Sequence, residues 1–226
     1  MARVLTWRAD PASGEERFEQ ARVDEDLTGF PAGGGPAAPA GGGHRYRARG
    51  TILVGAGELT EAAGVGYGGG PAGPFRVDYE LDLAETWTAH RLVVRAEGAG
   101  WRRELWLRRD ADGAWTCRRV TEPDEHAPVI DDVAALDGAL DCDLVSSALF
   151  NMPPIRRSGL HREPGRQQFL MAWVSIPDLA VTPSRQTYAH VRPRVVSFDS
   201  EGGFTAEIDV DDDGYATRYP SVALRV

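Results

Sequence analysis

The chain has 226 residues, 42% of them hydrophobic, and a formal net charge of −9 at pH 7. That is enough apolar material for one sizeable core, and all-β domains often reach this length undivided. The acidic balance disfavours a nucleic-acid partner, which needs a basic face for phosphates, and the absence of lysine excludes a catalytic lysine.

The first part of the chain predicts strands separated by two low-complexity segments. Strands are expected near residues 3–8, 15–23 and 44–54. Residues 31–43, PAGGGPAAPAGGG, and 64–74, GVGYGGGPAGP, cannot bury apolar area and are expected to be mobile loops. Because strands continue on both sides of each loop, the sequence predicts one domain rather than two.

The middle of the chain has the clearest strand patterns. In residues 75–83, FRVDYELDL, every second residue is apolar, which is typical of a half-buried strand. Another strand is expected near 88–96. Asp112-Gly113 separates WRRELWLRR, residues 101–109, from AWTCRRV, residues 114–120, and this pair tolerates the positive φ angles of a tight hairpin.

Helix signals are scarce and fall in one region. Residues 129–137 are a weak candidate. Residues 143–150, DLVSSALF, are a better one, with Asp143 as the N-cap and Pro153-Pro154 expected to end the helix.

The last third of the chain predicts further strands. Residues 168–176, QFLMAWVSI, are apolar on both faces and predict a central strand. Gly202-Gly203 separates the predicted strands 193–198 and 204–210, and Asp213-Gly214 follows the second of them. These tight turns predict an antiparallel meander.

Cofactor and metal motifs occur only in incomplete form. Residues 64–69 fit GxGxxG, but the next residues, GPAGPF, cannot open the helix that a dinucleotide site needs. Asp209, Asp211 and Asp213 resemble the start of a calcium loop, but its twelfth position is Pro220, which favours a solvated acidic turn. The five histidines have no ligand-like spacing and no GxSxG elbow occurs. We predict no cofactor, no metal site and no catalytic residue.

The sequence also predicts where the protein is found. No segment approaches the ~18–20 apolar residues of a membrane span, and the opening MARVLTWRAD has no apolar run of signal-peptide length. We therefore expect a soluble cytoplasmic protein, in which Cys117 and Cys142 are thiols rather than a disulfide.

The stretch FNMPPIRR, which comes after two aspartates, has two interpretations. In the first, Arg156 or Arg157 folds back onto Asp141 or Asp143 as a bidentate pair that fixes a corner, and Asn151 caps backbone groups there. In the second, the arginine fork points into a cavity and holds an anionic head group.

The tryptophans also have two interpretations. All six lie on or beside predicted strands, where large apolar side chains pack a core. A β-barrel with an unfilled interior would instead line that interior with aromatic residues. Trp101 and Trp106 fall on opposite faces of one strand, so both cannot line one cavity.

A set of motifs in fixed order resembles the bacterial putative glycolipid-binding family. The early segments that carry the likeness are Trp7-Arg8, Gly14-Glu15, Val77-x-Tyr79 and Trp87-Thr88. The later ones are DCDL (141–144), FNMPPIRR (150–157), AWVSIPDL (172–179), RQTY (185–188) and DDDGYATRYPSV (211–222). The chain departs from the family pattern at Phe150, where a threonine is usual, at Met152 and Pro153, where Leu-Pro is usual, and at Ser158, where a leucine is common.

The residue patterns predict an all-β single domain over residues 1–226 with one or two short helices, and the resemblance implies that it forms an antiparallel β-barrel or half-barrel. The implied fold is similar to that of periplasmic carriers of lipoproteins and lipids, although export would need a leader that this sequence does not display. It implies no established reaction.

Our leading hypothesis is a non-enzymatic lipid- or glycolipid-binding protein with an apolar ligand in the barrel. The residues expected to meet the ligand are Asn151, Arg156, Arg157, Gln186, Tyr188 and Trp87.

Two alternatives remain open. One is an enzyme acting on a small apolar or sugar-bearing substrate with Asp141 and Asp143 as acid and base. The other is a structural or interaction protein with a filled core. The sequence does not determine the oligomeric state.

Overall fold

A computed structural model of the chain describes residues 2–25, 46–55, 73–123 and 129–226. The predicted loops at 31–43 and 64–74, and the GxGxxG motif, lie outside these residues apart from Gly73 and Pro74. Fourteen strands belong to one sheet. They are β1 (Ala2–Ala9), β2 (Arg17–Glu25), β3 (Tyr46–Val54), β4 (Phe75–Leu83), β5 (Ala89–Gly98), β6 (Trp101–Arg109), β7 (Trp115–Glu122), β8 (Asp141–Leu144), β9 (Arg166–Val174), β10 (Val181–Arg192), β11 (Val195–Ser200), β12 (Thr205–Val210), β13 (Ala216–Tyr219) and β14 (Ala223–Arg225).

The sheet is open, and its two halves meet at the first and last strands. The order runs β7-β6-β5-β4-β3-β2-β1-β14-β13-β12-β11-β10-β9-β8, so β7 and β8 are its edges. All neighbours pair antiparallel except β8 and β9, which are parallel. The all-β prediction is confirmed, but hydrogen bonds between the described strands do not close a barrel.

Strand and turn predictions agree closely with this sheet. In β4, Phe75, Val77 and Tyr79 are buried and Arg76 is exposed, as the period-two pattern requires. One glycine in each of the three predicted hairpins, Gly113, Gly203 and Gly214, has positive φ, between 79° and 93°. β9 is buried on both faces along most of its second half, as expected for an inner strand.

One segment of the chain fills the space beside the sheet. We define the inner segment as residues 141–160, which comprise β8, a 3-10 turn (Leu149–Asn151) and the helix α1 (Met152–Ser158). Fourteen of its 20 residues are buried, and Phe150 packs edge-on against Tyr79 of β4 at 5.3 Å between ring centroids. The interior therefore contains the chain's own residues.

The helix prediction over 143–150 was wrong. Residues 141–144 form a strand, and α1 begins at the prolines instead of ending there. Proline is tolerated in the first helical turn because the N–H it lacks would have no partner there, and its fixed φ suits the helix. Gly159, with φ 71°, ends α1. The other candidate, 129–137, contains one 3-10 turn, Val133–Leu136.

A glycine makes room for a buried tyrosine between β3 and β4. Gly50 lies opposite Tyr79, and a Cβ built on Gly50 would lie 2.2 Å from Cζ of that ring. Tyr79 cannot move away easily because it is buried against Phe150 and its hydroxyl donates to Glu19 at 2.7 Å. The glycine is therefore required for space.

We predict that Gly50→Ala lowers the free energy of unfolding by about 1–3 kcal/mol, the usual cost of overpacking a core. Urea unfolding of the variant and the wild type measures this. Gly98→Ala is the matched control, because the added methyl group meets Trp101, which is only partly buried, whereas Tyr79 is fully enclosed. Equal losses for the two variants would contradict the explanation.

Candidate functional site

Four polar side chains form a hydrogen-bonded chain between the inner segment and β10. The Gln186 amide donates to Asp143 Oδ2 at 2.6 Å. The Tyr188 hydroxyl lies 3.1 Å from Gln186 Oε1 and 2.9 Å from Asn151 Oδ1, and either oxygen can accept its proton. This chain links the end of β8 to the start of α1 through one strand of the sheet.

A small void adjoins these groups. Its volume is about 40 Å³, room for a few water molecules, since one water needs roughly 10–15 Å³ on this scale. Ser184 and Phe204 on its lining are partly exposed, so the void reaches the surface beside them. The lining residues are Asp143, Leu144, Val145, Ser146, Ser147, Asn151, Trp173, Ser184, Gln186, Phe198, Ser200, Phe204, Tyr219 and Val222.

The aromatic lining comes from strands on both sides of β10. Trp173 lies on β9, Phe198 on β11 and Tyr219 on β13. Phe198 packs edge-on against Tyr219 at 5.9 Å between ring centroids, and Phe204 lies 6.0 Å from each of these two rings. The void thus has a polar floor and aromatic walls.

The site changes the proton affinity of its ionisable groups. Burial raises the pKa of Asp143 to about 6, although the hydrogen bond from Gln186 opposes the rise. Burial also raises the pKa of Tyr188 and of Tyr219 well above the ordinary value, and the negative charge of Asp143 adds to both shifts. Near neutral pH the site therefore has one carboxyl group close to its titration point and two neutral phenols.

A second buried carboxylate holds the turn beside the void. Glu19 of β2 accepts hydrogen bonds from Tyr79 Oη at 2.7 Å, Ser147 Oγ at 2.5 Å and the Ala148 N–H at 3.0 Å. Burial raises the pKa of Glu19, and these donors oppose the rise. Arg17, which lies on β2 with Glu19, donates to the carbonyl of Ser146.

The arginine pair of FNMPPIRR anchors α1. Arg157 makes a bidentate salt bridge with buried Asp141, at 2.7 and 2.5 Å, and donates to the Trp87 carbonyl at 3.1 Å. Burial raises the pKa of Asp141 while Arg157 opposes that rise. Arg156 pairs with Glu25 at 3.2 Å, and its guanidinium carbon lies 4.0 Å from the ring centroid of Trp87. The interpretation of an arginine folded back onto Asp141 agrees with this geometry.

The six predicted ligand residues therefore fall into two groups. Asn151 and Gln186 line the void, and Tyr188, which is not on the lining, hydrogen-bonds to both of them. Arg156, Arg157 and Trp87 meet at the other side of α1. The expected backbone cap by Asn151 is wrong, because its side chain makes no capping bond and accepts from Tyr188 instead.

Sequence reasoning named the four residues of the hydrogen-bonded chain but missed the groups around it. Glu19 and Ser147 gave no motif signal, and the four aromatic wall residues come from β9, β11, β13 and the turn before β12. Two tryptophans belong to the core, since the indole N–H of Trp7 donates to the Ala216 carbonyl and that of Trp115 to the Ala139 carbonyl. Trp173 lines the void instead.

Other motifs have structural roles. Asp211 accepts from the backbone N–H groups of Asp213 and Tyr215 and pairs with Arg225, and Arg3 pairs with Asp213, so the acidic turn is held by hydrogen bonds and cations.

Within the described ranges, no group of three or more His, Cys, Asp or Glu side chains could hold a metal ion. No helix in this part of the chain is long and apolar enough to cross a membrane.

Fold and site define an all-β protein with one open sheet, an inner segment beside it and a small amphiphilic void between them. The family model described as Putative glycolipid-binding matches residues 50–225, and the chain belongs to this family. The family prediction is thus confirmed. A crystal structure of a DUF1089-family protein from Pseudomonas aeruginosa is similar in fold, with a TM-score of 0.62 and 22% identity over 87% of this chain and 99% of that one. The sequence has no significant match among curated proteins.

We predict that Arg157→Ala lowers the free energy of unfolding by about 3–5 kcal/mol, because it leaves the buried Asp141 carboxylate without its cation. Urea unfolding at pH 7.5 measures the loss. Arg185→Ala is the control, since the pair of Arg185 with Glu201 is exposed on both sides and should contribute less than about 1 kcal/mol. A loss for Arg157→Ala no larger than that of the control would show that the salt bridge does not anchor α1.

We also predict a pH-dependent effect of Asp143→Asn. A pKa of about 6 in the folded protein, against an ordinary 3.8, means that stability falls as pH rises between these values. The asparagine variant avoids this loss, so it should equal the wild type below pH 4 and exceed it by up to about 3 kcal/mol above pH 6.5.

Urea unfolding at a series of pH values from 4 to 7.5 tests this, with Asp199→Asn at an exposed carboxylate as the control. A stability difference between Asp143→Asn and wild type that does not change with pH would contradict the raised pKa.

Proposed function

We propose that the protein binds a glycolipid without chemical conversion, and that the hydroxyl-bearing head group enters the void beside Asp143. The observation that carries this proposal is the hydrogen-bonded chain of Asp143, Gln186, Tyr188 and Asn151 in contact with an opening to the surface. A few convergent polar groups in a mostly apolar pocket are typical of small-molecule sites.

The chemistry of the void suits a sugar. A carboxylate accepts hydrogen bonds from hydroxyl groups, and an amide both donates and accepts. Phe204, the partly exposed aromatic residue at the rim of the void, offers a flat apolar surface to the C–H face of a sugar ring whose hydroxyl edge enters. The family description supports the same class of ligand.

The position of the apolar part differs from our expectation from sequence. Leu149, Phe150 and Ile155 occupy the interior at 1% exposure or less, and a void of about 40 Å³ is too small for an acyl chain. We therefore place the hydroxyl edge of the head group inside and the apolar chain at the partly exposed rim near Phe204. In this proposal Asn151 and Gln186 meet the ligand and Tyr188 orients both through its hydroxyl, whereas Arg156, Arg157 and Trp87 hold α1 in position.

One observation favours a second candidate function. A carboxyl group with a pKa of about 6 in an accessible pocket is suited to general acid catalysis near neutral pH. Asp143 would then protonate a leaving group on a sugar-bearing substrate. Asp141 is a poor partner for this chemistry, because both of its oxygens are bound by Arg157.

Native mass spectrometry with n-octyl-β-D-glucoside, kept below its micelle concentration, tests the binding function. We expect a saturable one-to-one adduct in the wild type and at least a tenfold weaker one in Gln186→Ala, which removes a donor and an acceptor from the floor. Thr187→Ala is the matched control on the same strand, since residue 187 is adjacent to Gln186 and its side chain points to the opposite face.

The same spectra separate the alternatives. Absence of an adduct at any glucoside concentration would support a structural protein with a filled core. A mass equal to that of the free sugar or alcohol, produced with time by the wild type and not by Asp143→Asn, would support the enzyme. Equal binding by Gln186→Ala and Thr187→Ala would place the ligand elsewhere.

A further inference from the structure

The lining of the void carries a negative charge and no positive charge. Asp143 is the ionisable carboxylate among the lining residues, and the lining contains no arginine or histidine from the described part of the chain. Two more acids lie nearby. Asp141 is close enough for its charge to raise the pKa of Asp143, and Glu19 accepts from Ser147 on the lining.

Two cations near this region, Arg157 and Arg17, are already bound. Both terminal nitrogens of Arg157 donate to Asp141. Arg17 is almost fully buried and pairs with Glu15, while its terminal nitrogens donate to the carbonyls of Ser146 and Val222. Neither guanidinium can turn toward the void without giving up several charge-assisted hydrogen bonds.

The polar floor has spare acceptors for hydroxyl groups. Asp143 receives one side-chain hydrogen bond, from Gln186, and a backbone bond from Leu144. An ionised carboxylate has about four acceptor positions, so about two remain. A ligand hydroxyl would donate to one of them, whereas a phosphate or carboxylate oxygen would have no proton to donate and would face a like charge.

We propose that this site selects uncharged, hydroxyl-bearing head groups and excludes anionic ones such as phosphate, because Asp143 lies on the lining and the neighbouring guanidiniums are bound to protein acceptors. The inference rests on the proposed function and names its ligand class. It replaces the anionic head group that the paired arginines suggested, since those arginines serve α1.

Two amphiphiles with one chain length test the selection: n-octyl-β-D-glucoside and n-octyl phosphate, both below their micelle concentrations at pH 7.5. Isothermal titration of the full-length protein should give at least a tenfold tighter dissociation constant for the glucoside. Asp143→Asn should reduce this ratio to threefold or less, mainly by admitting the phosphate. Thr187→Ala should keep the wild-type ratio.

A second variant adds the missing cation. Ser184 lines the void and is partly exposed, so Ser184→Lys places an ammonium group at the rim without altering the buried floor. We expect this variant to bind n-octyl phosphate at least ten times more tightly than the wild type does. It keeps the test decisive if Asp143→Asn fails to fold, which circular dichroism would reveal.

The outcomes distinguish this inference from the proposed function. If the wild type binds neither amphiphile, the proposed function fails and the inference fails with it. If the wild type binds both equally, or the phosphate more tightly, binding stands and charge selection is wrong. If the Asp143→Asn variant folds and keeps the tenfold preference, selection does not arise from Asp143.

Discussion

The buried carboxylate of Glu19 is the contact on which the arrangement of sheet and inner segment depends. It joins β2, β4 and the turn after β8 through three hydrogen bonds, from Tyr79, Ser147 and the Ala148 N–H. A buried charge without donors would cost several kcal/mol, on the order of the stability of a small domain. Apolar packing alone would allow the inner segment to shift along the sheet. The hydrogen bonds from Ser147 and Ala148 to Glu19 fix its position. Gly50 belongs to the same arrangement, because only a residue without a Cβ lets Tyr79 reach Glu19.

The void results from that fixed position. With the turn at Ser147 held by β2, the inner segment extends in two directions, into β8 on one side and α1 on the other. Parallel pairing of β8 with β9 sets Asp143 opposite Trp173, and α1 sets Asn151 against Tyr188 of β10. The void lies between residues 143–151 of this segment and residues of β9, β10, β11 and β13. The proposed ligand site is thus a product of how the inner segment is held.

The way the inner segment is held gives Asp141 and Asp143, which are separated by a single residue, different environments. Asp141 and Asp143 lie on the same face of β8, and burial raises the pKa of both. Asp141 meets the guanidinium of Arg157, which α1 brings back over the strand. Asp143 lies beyond the reach of that arginine and meets the neutral amide of Gln186. The first aspartate therefore anchors the helix, and the second keeps acceptor positions for a ligand.

The sequence by itself determined the strands and their turns, because period-two burial and the positive φ of Asp-Gly and Gly-Gly pairs are local properties of a chain. It also determined the family, through the order of motifs such as FNMPPIRR and RQTY. It misplaced the helix, since prolines that end one helix also begin another and only the surrounding contacts distinguish the two. The pairing of β1 with β14, the burial of Glu19 and the meeting of Asp143 with Gln186 join residues 43 to more than 200 positions apart. Such contacts have no local signature, because they depend on which surfaces the sheet buries, and only the tertiary structure decided them.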